Sequence, residues 1–323
     1  MILYQWRGAE RNFGDELNGL IWPALLPGFF DNDPTTMFLG IGSVLDSRHD
    51  PWSRKIVAGA GYGGYEARPI IDKSWVVHWV RGPLTARTLG LPETLGLGDP
   101  AALLPVAGLA PSESGQAVGF MPHFESMAVG RWAEVAHAAG LLLVDPRGDP
   151  ADTIRAIGRC RLLISEALHG VIVADALRVP WIGIRPLAKV HRLKWQDWAM
   201  AMDLKIALRP LPPSCLVEQM AASQLARLHR GRRLLACWQD RLDAVDAARF
   251  MDRAASTLMR VAQSVPHLSD ARALDRCRTR MMERVAEMRR HPFRGMQVAT
   301  SRRLRRSPLR RYDGFAYHPG STG

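Results

Sequence analysis

The sequence predicts an α/β protein built from two parallel-sheet domains of the nucleotide-binding kind, with a helical C-terminal extension. Three observations predict it. Apolar runs of strand length recur as far as Ile184 and alternate with longer stretches of helical periodicity, the signature of parallel sheets. The alternation pauses at the polar, small-residue stretch Pro111-Ser112-Glu113-Ser114-Gly115 and then restarts, which marks a boundary. Beyond the proline-rich Arg209 to Pro213, strand signals vanish and Ala, Leu, Arg and Met dominate through Met288. The expected division is 1–112, 113–213, a helical extension over 214–290, and an Arg-rich tail over 291–323 that lacks apolar periodicity and is expected to be poorly ordered.

In the first half, Ile2 to Trp6 reads as a strand. Asn12 and Asp15 stand where N-cap groups belong, ahead of a helix through Leu17, Leu20 and Ile21. Met37 to Ile41 is strand-like and closes in the turn Gly40-Ile41-Gly42-Ser43, where small residues let backbone N–H groups approach a ligand. Ile56 to Ala58 leads into a glycine-rich loop at 59–64, interleaved with Tyr62 and Tyr65, that reads as mobile. Trp75 to Val80 is a strand, and Pro83 just after Arg81 suits the first position of a helix. Gly98-Asp99-Pro100-Ala101 makes a turn.

The second half repeats the scheme. Val118 to Met121 is a strand followed by Pro122-His123-Phe124-Glu125; Arg131 to Ala139 is a helix; Leu141 to Val144 is a strand; Thr153 to Arg159 is a helix. Leu162 to Ile164 then leads through Ser165, Glu166 and His169 into an apolar helix ending near Leu177, and Trp181 to Ile184 is a last strand. A helix carrying Leu193, Trp195 and Trp198 follows. The extension reads as two or three helices, broken near Pro266.

Composition bounds the function. With 47% hydrophobic and 23% charged residues over 323 positions, the chain has the balance of a soluble globular protein. No apolar run is long enough to span a membrane, and the N-terminus lacks a secretory pattern, so a cytoplasmic protein is expected. Cys160, Cys215, Cys237 and Cys277 form no CxxC pair and read as reduced thiols rather than metal ligands. The net charge of +12 points to an anionic partner, and much of it lies in the arginines after residue 288. Those arginines lack the aromatic interleaving of a nucleic-acid platform, so no nucleic-acid partner is expected. Contact with an anionic membrane at its inner face fits them better. A dehydrogenase is disfavoured because no GxGxxG is followed by a ribose-binding acid.

Position then narrows the chemistry. Asn12, Asp15, Ser43, Arg81, His123, Ser165, Glu166, His169 and Lys189 all fall at predicted strand ends or in the turns after them, the edge where open α/β sheets bind ligands. The turn at 165–169 opens a helix, whose free N–H groups suit an anion such as a phosphate.

Five short motifs carry a resemblance: Asn12-Phe13-Gly14-Asp15, Gly40-Ile41-Gly42-Ser43, Val80-Arg81-Gly82-Pro83-Leu84-Thr85, Gly98-Asp99-Pro100-Ala101 and Ser165-Glu166-Ala167-Leu168-His169-Gly170. Their order and spacing over roughly residues 1 to 200 resemble the bacterial polysaccharide pyruvyltransferases, particularly the short form acting in succinoglycan-type exopolysaccharide assembly. The resemblance implies two Rossmann-like domains in a GT-B-like architecture. It also implies transfer of pyruvate from phosphoenolpyruvate to two hydroxyls of a hexose on a lipid-linked oligosaccharide acceptor, forming a cyclic ketal, with no cofactor and no metal.

On that resemblance His169 is assigned to substrate contact and proton transfer; His123, by its position in the first βα loop of the second half, is the candidate for a second acid/base group. Many relatives carry an arginine two residues before this histidine. Ala167 stands there in this chain, so Arg81, Arg185 and Lys189 become the candidates for gripping the substrate's charge. Arg81 could instead form a buried ion pair with an acid such as Asp99, and Lys189 could be a solvated basic residue. Glu166 could orient His169 or cap the helix. Asn12 and Asp15 could serve the acceptor or cap the first helix. Trp195 and Trp198, at helical spacing, suit core packing better than sugar stacking.

Overall fold

The structure is a computed structural model, and it describes residues 1–8, 10–185, 192–222 and 247–296. Two four-stranded sheets organise it, both entirely parallel. The first has the order β1 (Ile2–Leu3), β2 (Thr36–Leu39), β3 (Arg54–Ala58), β4 (Trp75–Trp79). The second contains β5 (Ala117–Met121), β6 (Leu142–Leu143), β7 (Cys160–Ser165) and β8 (Trp181–Gly183), in the order β6-β5-β7-β8. Strands covered on both faces read as continuous apolar runs, and β4, with all five residues buried, is the plainest case.

Because β6 lies on one side of β5 and β7 on the other, the order of the second sheet reverses between β5 and β7. That gap at the carboxyl ends is where such sheets take ligands. His123 follows β5 and Glu166 follows β7, so the two residues meet there.

The first strand is shorter than expected, Ile2–Leu3 rather than Ile2 to Trp6, although the Tyr4 N–H still donates to Phe38 O at 3.0 Å. The helix expected over Arg131 to Ala139 is α4 (Trp132–Ala138), and a further short helix, α3 (Phe124–Val129), precedes it. The glycine loop after β3, expected to be mobile, is bonded on both sides: the Gly61 N–H donates to Gly42 O at 2.8 Å, and the Leu45 N–H donates to Gly61 O at 3.1 Å.

Five more helices place the site: α1 (Phe13–Leu25), α2 (Pro83–Thr88), α5 (Pro150–Gly158), α6 (Leu168–Ala176) and α7 (Arg192–Ala201). The last of these carries Trp195 and Trp198 into the core, where both are buried. Helix α6, LHGVIVADA, is apolar all round and buried along nearly its whole length, as a helix packed between layers must be. It packs against α1 and α5, and its residues share one apolar core with Trp22 and Trp79 of the first half and Met121 and Leu163 of the second.

The extension supplies α8 (Leu216–Ala222), α9 (Ala247–Ala262) and α10 (Ala271–Arg290), with the expected break around Pro266. Ala254, Ala255, Leu258 and Val261 of α9 cover the second sheet beside Phe120 and Ile164. Helix α10 lies against the first half, and Arg278 donates to Ala102 O at 2.8 Å and to Ala176 O at 2.7 Å. Met296 then exchanges backbone hydrogen bonds with Val77. Residues 297–323 lie outside the described part, and with them most of the Arg-rich tail. Among the described residues no helix is long and apolar enough to cross a membrane.

Candidate active site

The turn that carries His169 is built by its own side chains. Ser165 is fully buried, and its hydroxyl donates to Ala167 O at 2.8 Å while accepting the Ala167 N–H at 3.0 Å. Ala167 is the N-cap of α6 and offers no capping side chain. Buried Glu166 turns back to the neighbouring strand, where its Oε2 accepts the His123 backbone N–H at 2.9 Å. His169 thereby projects from the first turn of α6. Its ring lies against Gly14, where any Cβ would overlap it, so the glycine of the Asn12-Phe13-Gly14-Asp15 motif is needed for close approach.

Opposite this ring stands Asp99. It caps a short 3-10 turn (Pro100–Leu103), its Oδ1 accepting the Ala101 N–H at 3.0 Å. Its Oδ2 lies 3.3 Å from His169 Nε2. Asp99 is fully buried and the His169 side chain is 12% exposed; the two atoms stand at ion-pair distance, and neither makes a well-aligned hydrogen bond with any described residue. A buried carboxylate beside one ring nitrogen favours the tautomer that carries its proton there and restricts the ring.

The first half forms the facing wall. Asn12 caps α1, accepting the Gly14 N–H at 3.3 Å, and its amide donates to Asp15 Oδ2 at 2.6 Å. Burial pushes the Asp15 carboxyl up to about 6, against the pull of His169, Lys194 and the Asn12 hydrogen bond. Tyr65 is likewise held above the usual phenol range by burial, with Glu125 adding to the shift. Arg81 is fully buried and bonded throughout: Nε to Asp197 Oδ2 at 3.1 Å, Nη1 to Ser43 Oγ at 2.8 Å, and Nη2 to Tyr62 O at 3.3 Å. The buried ion pair entertained for Arg81 exists, but its partner is Asp197 of α7 rather than Asp99.

Asp197 also accepts from Thr85 N at 3.0 Å and Thr85 Oγ1 at 2.6 Å, which fixes α7 against the start of α2. One turn earlier on α7 sits Lys194, half-buried. Burial and nearby Arg81 push its ammonium down to about 8, while Glu125, Asp15 and Glu166 pull the other way.

The predicted residues thus divide. Asn12, Asp15, Ser43, Arg81, His123, Glu166 and His169 lie at the strand ends of the two halves, and shared charges or hydrogen bonds link them. His123 is buried, with Nδ1 3.6 Å from Glu125 Oε2. Arg185 is exposed, and its backbone N–H donates to Arg209 O at 2.8 Å. Lys189 lies outside the described residues. Sequence reasoning missed Asp99 as the partner of His169, although its motif is one of the five, because the pairing crosses about 70 positions. It also missed Lys194 and Asp197, which stand on a helix read only for its apolar residues. Among the described residues, no three His, Cys, Asp or Glu side chains are grouped so as to hold a metal ion.

Parallel α/β halves with a buried His–Asp pair and shifted acids at converging strand ends define a site of the enzyme kind, suited to moving protons on an anionic substrate. Residues 50–186 match the family model for polysaccharide pyruvyl transferase. The chain is also 39% identical over 223 residues to the succinoglycan biosynthesis protein ExoV of Rhizobium meliloti (strain 1021), an alignment covering 67% of this chain and 70% of that protein. No solved structure matches it. The chain belongs to the polysaccharide pyruvyl transferase family and is a pyruvyltransferase.

Proposed function

We infer that the enzyme transfers pyruvate from phosphoenolpyruvate to two hydroxyls of one hexose in an exopolysaccharide repeat unit, releasing phosphate and leaving a cyclic ketal. The observation that carries this reading is the approach of His169, in the first turn of α6, to buried Asp99, 3.3 Å away. Phosphoenolpyruvate resists alcohols until its methylene carbon takes a proton. His169 gives that proton, and C2 becomes an oxocarbenium-like electrophile. One sugar hydroxyl attacks C2 and loses its proton to a base. Phosphate then leaves with its electron pair, and the second hydroxyl closes the ring and loses its own proton. Two hydroxyl protons are released; one replaces the proton given to the methylene, and the other leaves with phosphate.

Asp99 keeps His169 oriented for the first transfer. Asp15 and His123, on opposite sides of the cleft, receive hydroxyl protons, and the N–H groups at the start of α6 face the phosphate. Arg81 and Ser43, bonded to each other, shape the wall, with Glu166 bridging to the His123 loop. Lys189 and Arg185 remain proposed contacts for the donor's charge. The chemistry calls for no cofactor or metal. The two parallel sheets support a reading as two Rossmann-like halves in a GT-B-like arrangement, the first serving the acceptor and the second the donor. A lipid-linked acceptor would place the enzyme at the inner face of the cell membrane, in the cytoplasm, with the Arg-rich tail toward anionic lipid.

Incubation with phosphoenolpyruvate and an oligosaccharide acceptor tests the reading. Phosphate release that depends on the acceptor is expected. Turnover supported only by a nucleotide sugar would refute it.

A further inference from the structure

With phosphoenolpyruvate as donor, a carboxylate and a phosphate enter the site and cations must meet them; the role of any such cation rests on that donor assignment. Arg81 is fully buried, and its Nε, Nη1 and Nη2 are bonded to Asp197, Ser43 and Tyr62, which takes up three of its five N–H groups. It holds the wall together.

Lys194 is placed differently. Asp197, three residues later on α7, is bonded to Arg81 and Thr85, and residues three apart share one helix face. The anchored face therefore carries Lys194 toward the charged groups at the strand ends, and its neighbour Leu193 rests beside Gly64 of the glycine loop. Charged groups face Lys194 from four elements: Asp15 on α1, Arg81 after β4, Glu125 on α3 and Glu166 after β7. No described carboxylate lies within 4.0 Å of its ammonium. A cation drawn by acids of both halves but locked to none of the described ones is available to an incoming anion.

We propose that Lys194 is the cation that grips the anionic end of phosphoenolpyruvate. The ammonium replaces part of the water lost when the donor enters, and its attraction is strong because the surroundings are partly desolvated. Loss of its proton above about pH 8 then weakens the donor's hold.

Calorimetric titration of the full chain with phosphoenolpyruvate at pH 7 tests this. Lys194→Met should weaken donor binding roughly 10- to 100-fold, the factor for one charge-assisted hydrogen bond. The KM for the acceptor should stay unchanged. Lys194→Arg should retain binding and lose the decline above about pH 8, since a guanidinium keeps its proton. Inorganic phosphate as a second probe identifies the gripped group: weakening of both ligands marks the phosphate, and weakening of phosphoenolpyruvate alone marks the carboxylate. Donor affinity in Lys194→Met equal to the wild type, at equal melting temperature, would overturn the assignment while leaving the donor reading intact. Should that variant fail to fold, an alkaline decline persisting in Lys194→Arg overturns it instead. A wild-type chain that binds a nucleotide sugar and no phosphoenolpyruvate would overturn both.

Discussion

At the scale of single residues, burial sets the work of a few acids and bases. Asp99 spends one oxygen on capping its turn and turns the other to His169. Asp99→Asn keeps the cap but removes the charge behind the ring, so kcat should fall roughly 100-fold or more while phosphoenolpyruvate still binds. A parallel loss of donor affinity would show the role to be structural instead. Asp15 makes a second case. Its carboxyl is raised from 3.8 to about 6, so the fold favours its protonated form, and that stabilisation is lost as pH rises from about 4 through 6. Above pH 6 the enzyme carries a buried charge that costs about 3 kcal/mol in order of magnitude. Asp15→Asn should raise the melting temperature at pH 7 and abolish the acidic limb of kcat/KM near pH 6, with activity greatly reduced. The histidines and Asp15 could be read from the sequence because they stand in short motifs at strand ends. The pairing of His169 with Asp99 could not, since nothing local to either residue encodes a contact formed only when α6 is packed between the two halves.

Among the secondary-structure elements, α7 shows how a helix is aimed. Its register is set by the buried Arg81–Asp197 pair and the two bonds to Thr85. Breaking such a pair strands a charge and costs about 3–5 kcal/mol. Asp197→Ala should therefore lower the melting temperature markedly and raise the KM for phosphoenolpyruvate, because Lys194 loses its aim. Double substitution of Arg81 and Asp197 by apolar residues of similar size should recover stability without recovering donor affinity. A stability loss with unchanged KM would separate α7 from the site. The strands and most helices were legible in the sequence as apolar periodicity. Short α3 was not, because a helix of under two turns leaves almost no periodic signal. The first strand was overextended for a related reason: Tyr4 and Trp6 are apolar but only partly buried, and they pack against the core outside the sheet.

For the whole molecule, one apolar core includes buried residues from both sides of residue 112. Arg278 of α10 binds carbonyls on both sides of that position, at Ala102 and Ala176. Composition told of helices after Pro213 but not where they dock, since an amphipathic face fits any apolar surface of the right shape. Charge in the tail is the other global feature. Deleting residues from Ser301 onward should reduce association with anionic vesicles while sparing activity on a soluble acceptor, and unchanged sedimentation with the vesicles would count against that role. Protonation of the donor's methylene carbon by an acid in this cleft, before a sugar hydroxyl attacks, can be followed by running the reaction in deuterium oxide and weighing the pyruvylated glycan. A ketal methyl group bearing one deuterium is expected, formed by the wild type and lost with His169→Asn. A product whose methyl group carries no solvent hydrogen, or full labelled turnover by His169→Asn, would contradict that mechanism.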